Sequence, residues 1–435
     1  MACVMEIDES RDEVRLGWPV ARRFAGRFKF SDDAATGRGP FPVDTGATNE
    51  ELVLSGHHLG NFKAISPGDT HVIQARAVVS GGYEIEASRI VVLMLCGGMS
   101  FRTQGSIHPL MPFPDPREPR NTKTLLDWQL DRLSDSPLAA SECLIAATPL
   151  NEDSLRRHLE KRRSARRVGM SIGGLAPRLA PAQPATGEPL VIREPSGQIS
   201  YNPIGHMEAL RWFVLHGLLG EFLDRLIVMI VSYSNWGRVF DATTVRIAGY
   251  AASVFDASDA AILLAEVTNR EVDVEPGSML VTGKSNSDDL RLVKYSYGRG
   301  RPRFPNSSHI LMSTNTLYFS VRNLLARLKT AAPAAGMPAD EIAVAGLLRS
   351  AAQTHSRDQL SKIFDAAFPV EPFLIPAPAA TAPDFLRVER DLDQLTLMPG
   401  PAVMRPVEVD PDRGVFMKTP ADFGNPEKLA FMFDS

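Results

Sequence analysis

A chain of 435 residues is roughly two to three times the length of a typical domain, which predicts one large core with attached lobes, or two to three domains, and excludes a small disulfide-stapled module. Hydrophobic residues make up 44% and charged residues 23%, ordinary globular values that exclude wholesale disorder. Lys and Arg total 47 against 51 Asp and Glu, a net charge of -4, so no chain-wide basic field exists to hold a nucleic acid or an anionic membrane, and any polyanion site is local. The three cysteines, Cys3, Cys96 and Cys143, are odd in number and far apart. Such usage argues against a disulfide framework or a CxxC metal site and points to a reducing, cytoplasmic compartment.

The first twenty residues carry Glu6, Asp8, Glu9, Asp12 and Glu13 without a long apolar stretch, so they do not read as a signal peptide. Residues 1–87 read as an N-terminal appendage in which alternation at His71–Val79 predicts strands. At Ser88 the character changes. SRIVVLMLCGG is an apolar run ending in Gly97 and Gly98, the pattern of a parallel strand buried on both faces and stopped by a loop. Lys123–Leu133 (KTLLDWQLDRL) spaces Leu125, Leu126, Gln129, Leu130 and Leu133 on one helical stripe. Glu142–Ala147 reads as the next strand, Asn151–Arg167 as a polar helix, and Leu223–Val231 as a further strand. Met279–Leu280 and Leu290–Tyr295 read as short strands. Alternating strands and helices predict an open, largely parallel α/β sheet over residues 88–368. The Pro- and Ala-rich stretches Leu179–Pro189 and Pro369–Pro383 read as extended linkers, and 384–435 as a C-terminal segment that packs back onto the core. No apolar run reaches the roughly 20 residues that a bilayer-spanning helix needs, and no zinc-type His or Cys spacing occurs. The basic run Arg156–Arg167 fits a solvated helix face more readily than an RNA or acidic-partner surface.

The stretch Leu95–Phe113 (LCGGMSFRTQGSIHPLMPF) carries the clearest chemistry: a strand ending in two glycines lets backbone N–H groups approach a phosphate. Gly-Gly, then Arg102, then the Pro-Leu-x-Pro pattern at Pro109–Pro112 and the helix after it resemble the signature of sugar-1-phosphate nucleotidyltransferases. YNPIGHMEAL at 201–210 resembles the PPGHGD element of the UTP:glucose-1-phosphate uridylyltransferase family. SYSNWGRVFD (232–241), EVTNREVDVEPGSML (266–280), LRLVKYS (290–296), STNTLYF (313–319) and RGVFMKTPAD (413–422) resemble later elements of the same family, in the same order.

That resemblance implies an α/β nucleotidyltransferase core with a mixed, largely parallel, Rossmann-like sheet over residues 88–368, and transfer of a nucleotide, UTP by preference, to a sugar 1-phosphate, giving a nucleotide-sugar and pyrophosphate, usually with Mg²⁺. It places Leu95, Cys96, Gly97, Gly98 and Gly205 at the nucleotide, and His206, Asn235, Asn315 and Lys294 at the sugar phosphate. Lys418, His108 and Arg102 fall where cations would meet the reacting phosphates. Several positions depart from the family pattern. His108 stands for a lysine, Ser234 for the metal-binding aspartate, Gly173 for the base-reading glutamine and Lys294 for a glutamate. Gln183 is a substitute base reader without motif support. The metal ligands are therefore not assignable from the sequence, and the positive Lys294 suits an anionic sugar phosphate. The alternative reading is a catalytically impaired relative that binds a nucleotide-sugar or a protein partner.

Overall fold

The computed structural model describes residues 5–8, 13–16, 62–97, 108–115, 118, 120, 122–162, 168–172, 175–177, 179–180, 190–191, 201–203, 205–271, 277–283, 290–295, 309–370, 373–377, 385–398, 404–417 and 420–433, some of them by backbone alone. An eleven-stranded sheet organises them. Its strands are β1 (Phe62–Ala64), β2 (Ile73–Gln74), β3 (Ile90–Leu95), β4 (Glu142–Ala147), β5 (Val168–Ile172), β6 (Ile227–Ser232), β7 (Leu263–Glu271), β8 (Gly277–Gly283), β9 (Leu290–Tyr295), β10 (His309–Ser320) and β11 (Met404–Val409). The main path runs β2-β11-β7-β10-β6-β3-β4-β5, and β8 pairs with β9, β10 and β1 beside it. Along this path every strand but β10 runs the same way, so the sheet is mixed and largely parallel.

The helices are α1 (Ala75–Ser80), α2 (Leu125–Ser134), α3 (Glu152–Arg162), α4 (His206–Leu215), α5 (Ala242–Ala257), α6 (Val321–Ala331), α7 (Glu341–Arg349), α8 (Thr354–Ala367), α9 (Pro420–Phe423) and α10 (Pro426–Phe433). They cover both faces of the sheet. Alternate residues of β3 show why its apolar run is uninterrupted. Val91, Leu93 and Leu95 pack into the core formed with α4, α6, α7 and α8, while Ile90, Val92 and Met94 pack into the core formed with α2 and α5. No helix among the described residues is long and apolar enough to cross a membrane.

Several boundaries differ from the sequence reading for identifiable reasons. In the stretch 71–79 only Ile73 and Gln74 form a strand, since they alone pair with β11; the chain then turns helical as α1 and buries Val78 in the α5-side core. The strand expected from Leu223 begins at Ile227, because the preceding residues close a turn after the short helix Leu218–Glu221. The polar helix expected to run to Arg167 is described over Glu152–Arg162. Two strands of the sheet, β1 and β2, come from the first 87 residues, and β11 comes from the last 52. Of the Pro- and Ala-rich stretches, Leu179–Ala180 and Phe373–Ala377 join Leu190–Val191 and Phe385–Glu389 in a separate four-stranded sheet.

Helix α2 is tied to α3 through two carboxylates, Asp127 and Asp131, both of which meet Arg162. Thr124 and Asp127 form a reciprocal capping box, and Asp127 also meets His158 at 2.9 Å and Arg162 at 2.7 Å. Burial pushes the Asp127 carboxyl up, but the hydrogen bonds from His158, Thr124 and Arg162 outweigh it and hold the group below the usual carboxylate range. A depressed folded-state pKa stabilises the fold above the unfolded value of about 3.9 and loses that contribution as pH falls through the folded value. Asp127→Asn is therefore expected to destabilise the protein at neutral pH and to flatten its stability between about pH 5 and pH 2. Urea titrations at a series of pH values check this; a parallel acid profile in the two proteins would refute it.

Candidate active site

The sheet order has one switch point of the kind where open α/β sheets bind ligands. From β3 the chain moves outward through β4 and β5, then returns to place β6 on the other side of β3. In open α/β sheets the loops leaving the carboxyl ends of two such strands diverge and leave room for a ligand between them. Leu95 and Ser232 are register partners at that edge, and the Tyr233 N–H donates to the Leu95 carbonyl at 3.3 Å.

On the β3 side, Leu95 and Cys96 are core residues whose contribution is backbone. The Cys96 N–H donates to the Ala146 carbonyl at 2.8 Å, and its own carbonyl accepts from Asn151 Nδ2 at 2.7 Å. Burial pushes the Cys96 thiol well above its usual range, so it is no nucleophile. A Cβ on Gly97 would stand 2.8 Å from Thr148 Cγ2, which is why the loop leaves the strand through a glycine. Thr148 Oγ1 donates to the Gly97 carbonyl, and the Thr148 N–H donates to Asn151 Oδ1. Thr148 and Asn151 are braces that sequence reading missed. Gly98 and Arg102 lie outside the described residues, and His108 is described by backbone only, in a single helical turn at His108–Leu110.

On the β6 side, Ser232 and Ser234 place their hydroxyl oxygens 2.8 Å apart, with Ser234 buried. Asn235 is fully buried, its Nδ2 donating to the Thr314 carbonyl at 3.3 Å and its Oδ1 accepting from the Gly237 N–H at 3.1 Å, so the amide holds the loop together. From α2, Gln129 Nε2 donates to the carbonyls of Tyr233 and Asn235. One turn on, Arg132 donates to the carbonyls of Trp236 and Gly237 and lies 5.5 Å from the Trp236 ring centroid. Burial pulls Arg132 down to about 10, still protonated at neutral pH. The helical stripe legible in KTLLDWQLDRL thus carries two polar braces for the β6 loop.

Residues 413–417 complete this edge. Asn235 forms an antiparallel bridge with Phe416, the Trp236 N–H donates to Val415, and the Met417 N–H donates to Ser234. A small core of Leu125, Trp236 and Met417, joined by Met111, Phe113, Trp128, Phe423 and Leu429, gathers residues on either side of Lys418, which itself lies outside the described residues. Lys428 on α10 adds hydrogen bonds to the Phe416 carbonyl and to Asp422. Asn315 is the one described non-glycine residue with positive φ, 55°, at the irregularity where Ala265 pairs with Leu317 and Val267 with Ser313. Asparagine tolerates this left-handed conformation better than most residues.

Under these loops lies an ionic cluster absent from the sequence reading. Arg413, 3% exposed, donates to both carboxylate oxygens of the fully buried Glu266, to Asp241 at 2.7 Å, to Thr244 Oγ1 and to the Arg238 carbonyl. The Tyr318 hydroxyl donates to Glu266 at 2.6 Å. Burial alone would lower the Arg413 pKa, but Glu266 above all holds it above the ordinary arginine value. The same carboxylate and burial push Tyr318 well up. The only advance signal was that Arg413 and Glu266 open two of the motif-like stretches.

The remaining expected residues sit elsewhere. Gly205, at φ 117°, precedes α4, and a Cβ there would stand 2.7 Å from the Arg390 carbonyl. The His206 N–H donates to Asp391 Oδ1 at 3.3 Å and the Met207 N–H to the Arg390 carbonyl, so residues 390–391 cap the helix. Lys294, described by backbone only, pairs with Ser278 in β9, beside the main path of the sheet. Gly173 and Gln183 lie outside the described residues.

A Mg²⁺ ion takes oxygen ligands and is held through one or two carboxylates together with substrate phosphates. The described β6 edge offers two neutral hydroxyls bonded to each other, and both nearby acids, Asp241 and Glu266, are engaged by Arg413. Among the described residues no cluster of His, Cys, Asp or Glu is arranged to hold a metal. Among the described residues of this edge, the donor set does not fit the ion.

No protein-family model matches this sequence, and no curated protein matches it. Solved structures do resemble it. The UDP-N-acetylglucosamine pyrophosphorylase of Trypanosoma brucei, solved with an inhibitor, superposes with a TM-score of 0.55 at 14% identity, over 86% of this chain and 72% of that one. A mutant UDP-glucose pyrophosphorylase of Leishmania major in complex with UDP-glucose gives 0.54 at 15%, over 83% and 70%. A putative UDP-N-acetylglucosamine pyrophosphorylase of Entamoeba histolytica gives 0.52 at 10%, over 83% and 84%. The α/β core described above is therefore the fold found in the UDP-sugar pyrophosphorylases.

Proposed function

We propose that this chain is a nucleotidyltransferase that joins a nucleoside triphosphate, UTP by preference, to a sugar 1-phosphate, releasing pyrophosphate. The observation that carries the reading is convergence at the switch point. The Gly-rich exit of β3, the 232–237 loop, the bulge at Asn315 and the 413–417 segment meet at one edge through hydrogen bonds, and each belongs to a different motif-like stretch. The likeness to pyrophosphorylase folds supports the same reading.

In this reaction a sugar-phosphate oxygen forms a bond to the α-phosphorus while the bridging α–β bond breaks, its electron pair leaving with pyrophosphate. Two anions must be brought together, so the protein's work is alignment and charge neutralisation. In this reading, backbone N–H groups at Gly97 and Gly98 bind the nucleotide phosphates, with Gly205 at the nucleotide. Lys418, Arg102 and a protonated His108 supply positive charge. His206, Lys294 and Asn315 serve the sugar phosphate, and the Asn235 amide shapes the loop beside it. The unit responsible is residues 88–368 with Lys418 from the C-terminal segment, and the compartment is the cytoplasm, as the cysteine usage favours. A panel of the four nucleoside triphosphates against neutral and anionic sugar 1-phosphates, read by pyrophosphate release, tests this. One pair is expected to turn over, with Lys418→Ala reducing its rate by at least about a hundredfold, the low end of what one electrostatic group contributes. Silence across the whole panel with correctly folded protein would overturn it.

A further inference from the structure

We propose that this chain does not hold a divalent cation at the end of β6, and that the Ser232–Ser234 hydroxyl pair instead meets the substrate directly through a hydrogen bond. The inference deepens the reading above and rests on it only for the identity of the ligand. Three observations carry it. First, Ser232 Oγ and Ser234 Oγ lie 2.8 Å apart, and the Ser234 N–H also donates to Ser232 Oγ at 3.3 Å. Two hydroxyls have two hydrogens, and the bond between them uses one. Among the described residues the other has no acceptor, so it can donate to an anionic or hydroxyl-bearing ligand.

Second, the acids nearest in the motif-like stretches are already engaged. Glu266 is fully buried between Arg413 and Tyr318, while Asp241 accepts from Arg413 and from the Thr244 N–H as the cap of α5. Freeing either carboxylate for a metal would take from a buried guanidinium one of its two carboxylate partners, an unfavourable exchange. Third, the other polar groups of the loop are neutral and committed to it: Asn235 bridges Thr314 and Gly237, and Gln129 spans Tyr233 and Asn235. A neutral, hydrogen-bonded seat attracts a dipolar or anionic group and gives a doubly charged cation no compensating charge.

The test is a Mn²⁺ titration of the full chain, followed by the electron-spin-resonance signal of the free ion, with and without UDP-glucose, whose own binding is measured by calorimetry in the same samples. Wild-type protein is expected to leave the free Mn²⁺ signal as it is in buffer with the same UDP-glucose concentration. Ser234→Asp is expected to tighten Mn²⁺ binding by at least about tenfold, the change that even an outer-shell metal partner typically produces. Ser232→Asp, at the less buried member of the pair, repeats the test should Ser234→Asp fail to fold, as judged by circular dichroism. Mn²⁺ retained by wild-type protein and lost in Ser234→Ala would overturn the proposal. Folded aspartate variants that gain no affinity would also overturn it, by showing that this position is not the missing ligand. Failure of UDP-glucose to bind any of the proteins would count against the nucleotide-sugar reading, while the ligand-free Mn²⁺ arm still decides the metal question.

Discussion

Arg413→Met is expected to lower the free energy of unfolding by about 3–5 kcal/mol, the cost of removing one partner from a buried ion pair. The reason is what stays behind. Glu266 is fully buried, and without the guanidinium it keeps only the Tyr318 hydroxyl against a charge that cannot reach water. Asp241 would lose its ion pair, and the Arg238 carbonyl and the Thr244 hydroxyl would each lose a donor. Urea unfolding followed by tryptophan fluorescence reads the loss. The double variant Arg413→Met with Glu266→Gln should lose less than the sum of the two single variants, because it removes the stranded charge together with its partner. A single-variant loss below about 1 kcal/mol, no more than an ordinary surface change, would mean that the cluster is not the keystone its geometry indicates.

Gly237→Ala is expected to cost about 3 kcal/mol, toward the upper end for overpacking a filled interior, and to reduce ligand binding at the β6 loop as well. A Cβ at this position would stand 2.4 Å from the Arg413 carbonyl carbon and oxygen and 2.4 Å from the Asp412 carbonyl oxygen. All three are backbone atoms, so no side chain can swing aside. Relief requires the 412–417 segment to move away from the 234–237 loop, which would stretch the bonds Trp236 N–H to Val415, Arg238 N–H to Asp412 and Met417 N–H to Ser234. Those bonds set where Ser234 and the residues flanking Lys418 sit. Stability and nucleotide-sugar affinity should therefore fall together. A variant with wild-type unfolding and affinity would show that the two segments are not held against each other.

How far the chain was readable follows from which interactions are local. β3 and β4 were legible almost to the residue because parallel strands buried on both faces are continuously apolar, and α2 because its stripe repeats at helical spacing. The stretch at 71–79 misled because alternation over a few residues suits a strand or a short helix, and only pairing with β11 decides between them. At the candidate site the residue types were legible and several of their uses were not. Asn235 was expected at the sugar phosphate from its motif alone, and the sequence did not reveal that its amide bridges the Gly237 N–H and the Thr314 carbonyl.

By itself the sequence determined the α/β class, the glycine exit from β3, the order of the motif-like stretches and the neutral serine at position 234, since these depend on residue type and short-range periodicity. Only the tertiary structure decided that Arg413 spends its charge on Glu266 and Asp241, 147 and 172 positions away. It alone decided that residues 390–391 close over the N-terminus of α4, and that Gln129 and Arg132 brace the β6 loop. The physical reason is that a side chain's type sets what it can donate or accept, whereas its partner is chosen by sheet order and by which loops the switch point brings together. Neither quantity is written in the local pattern.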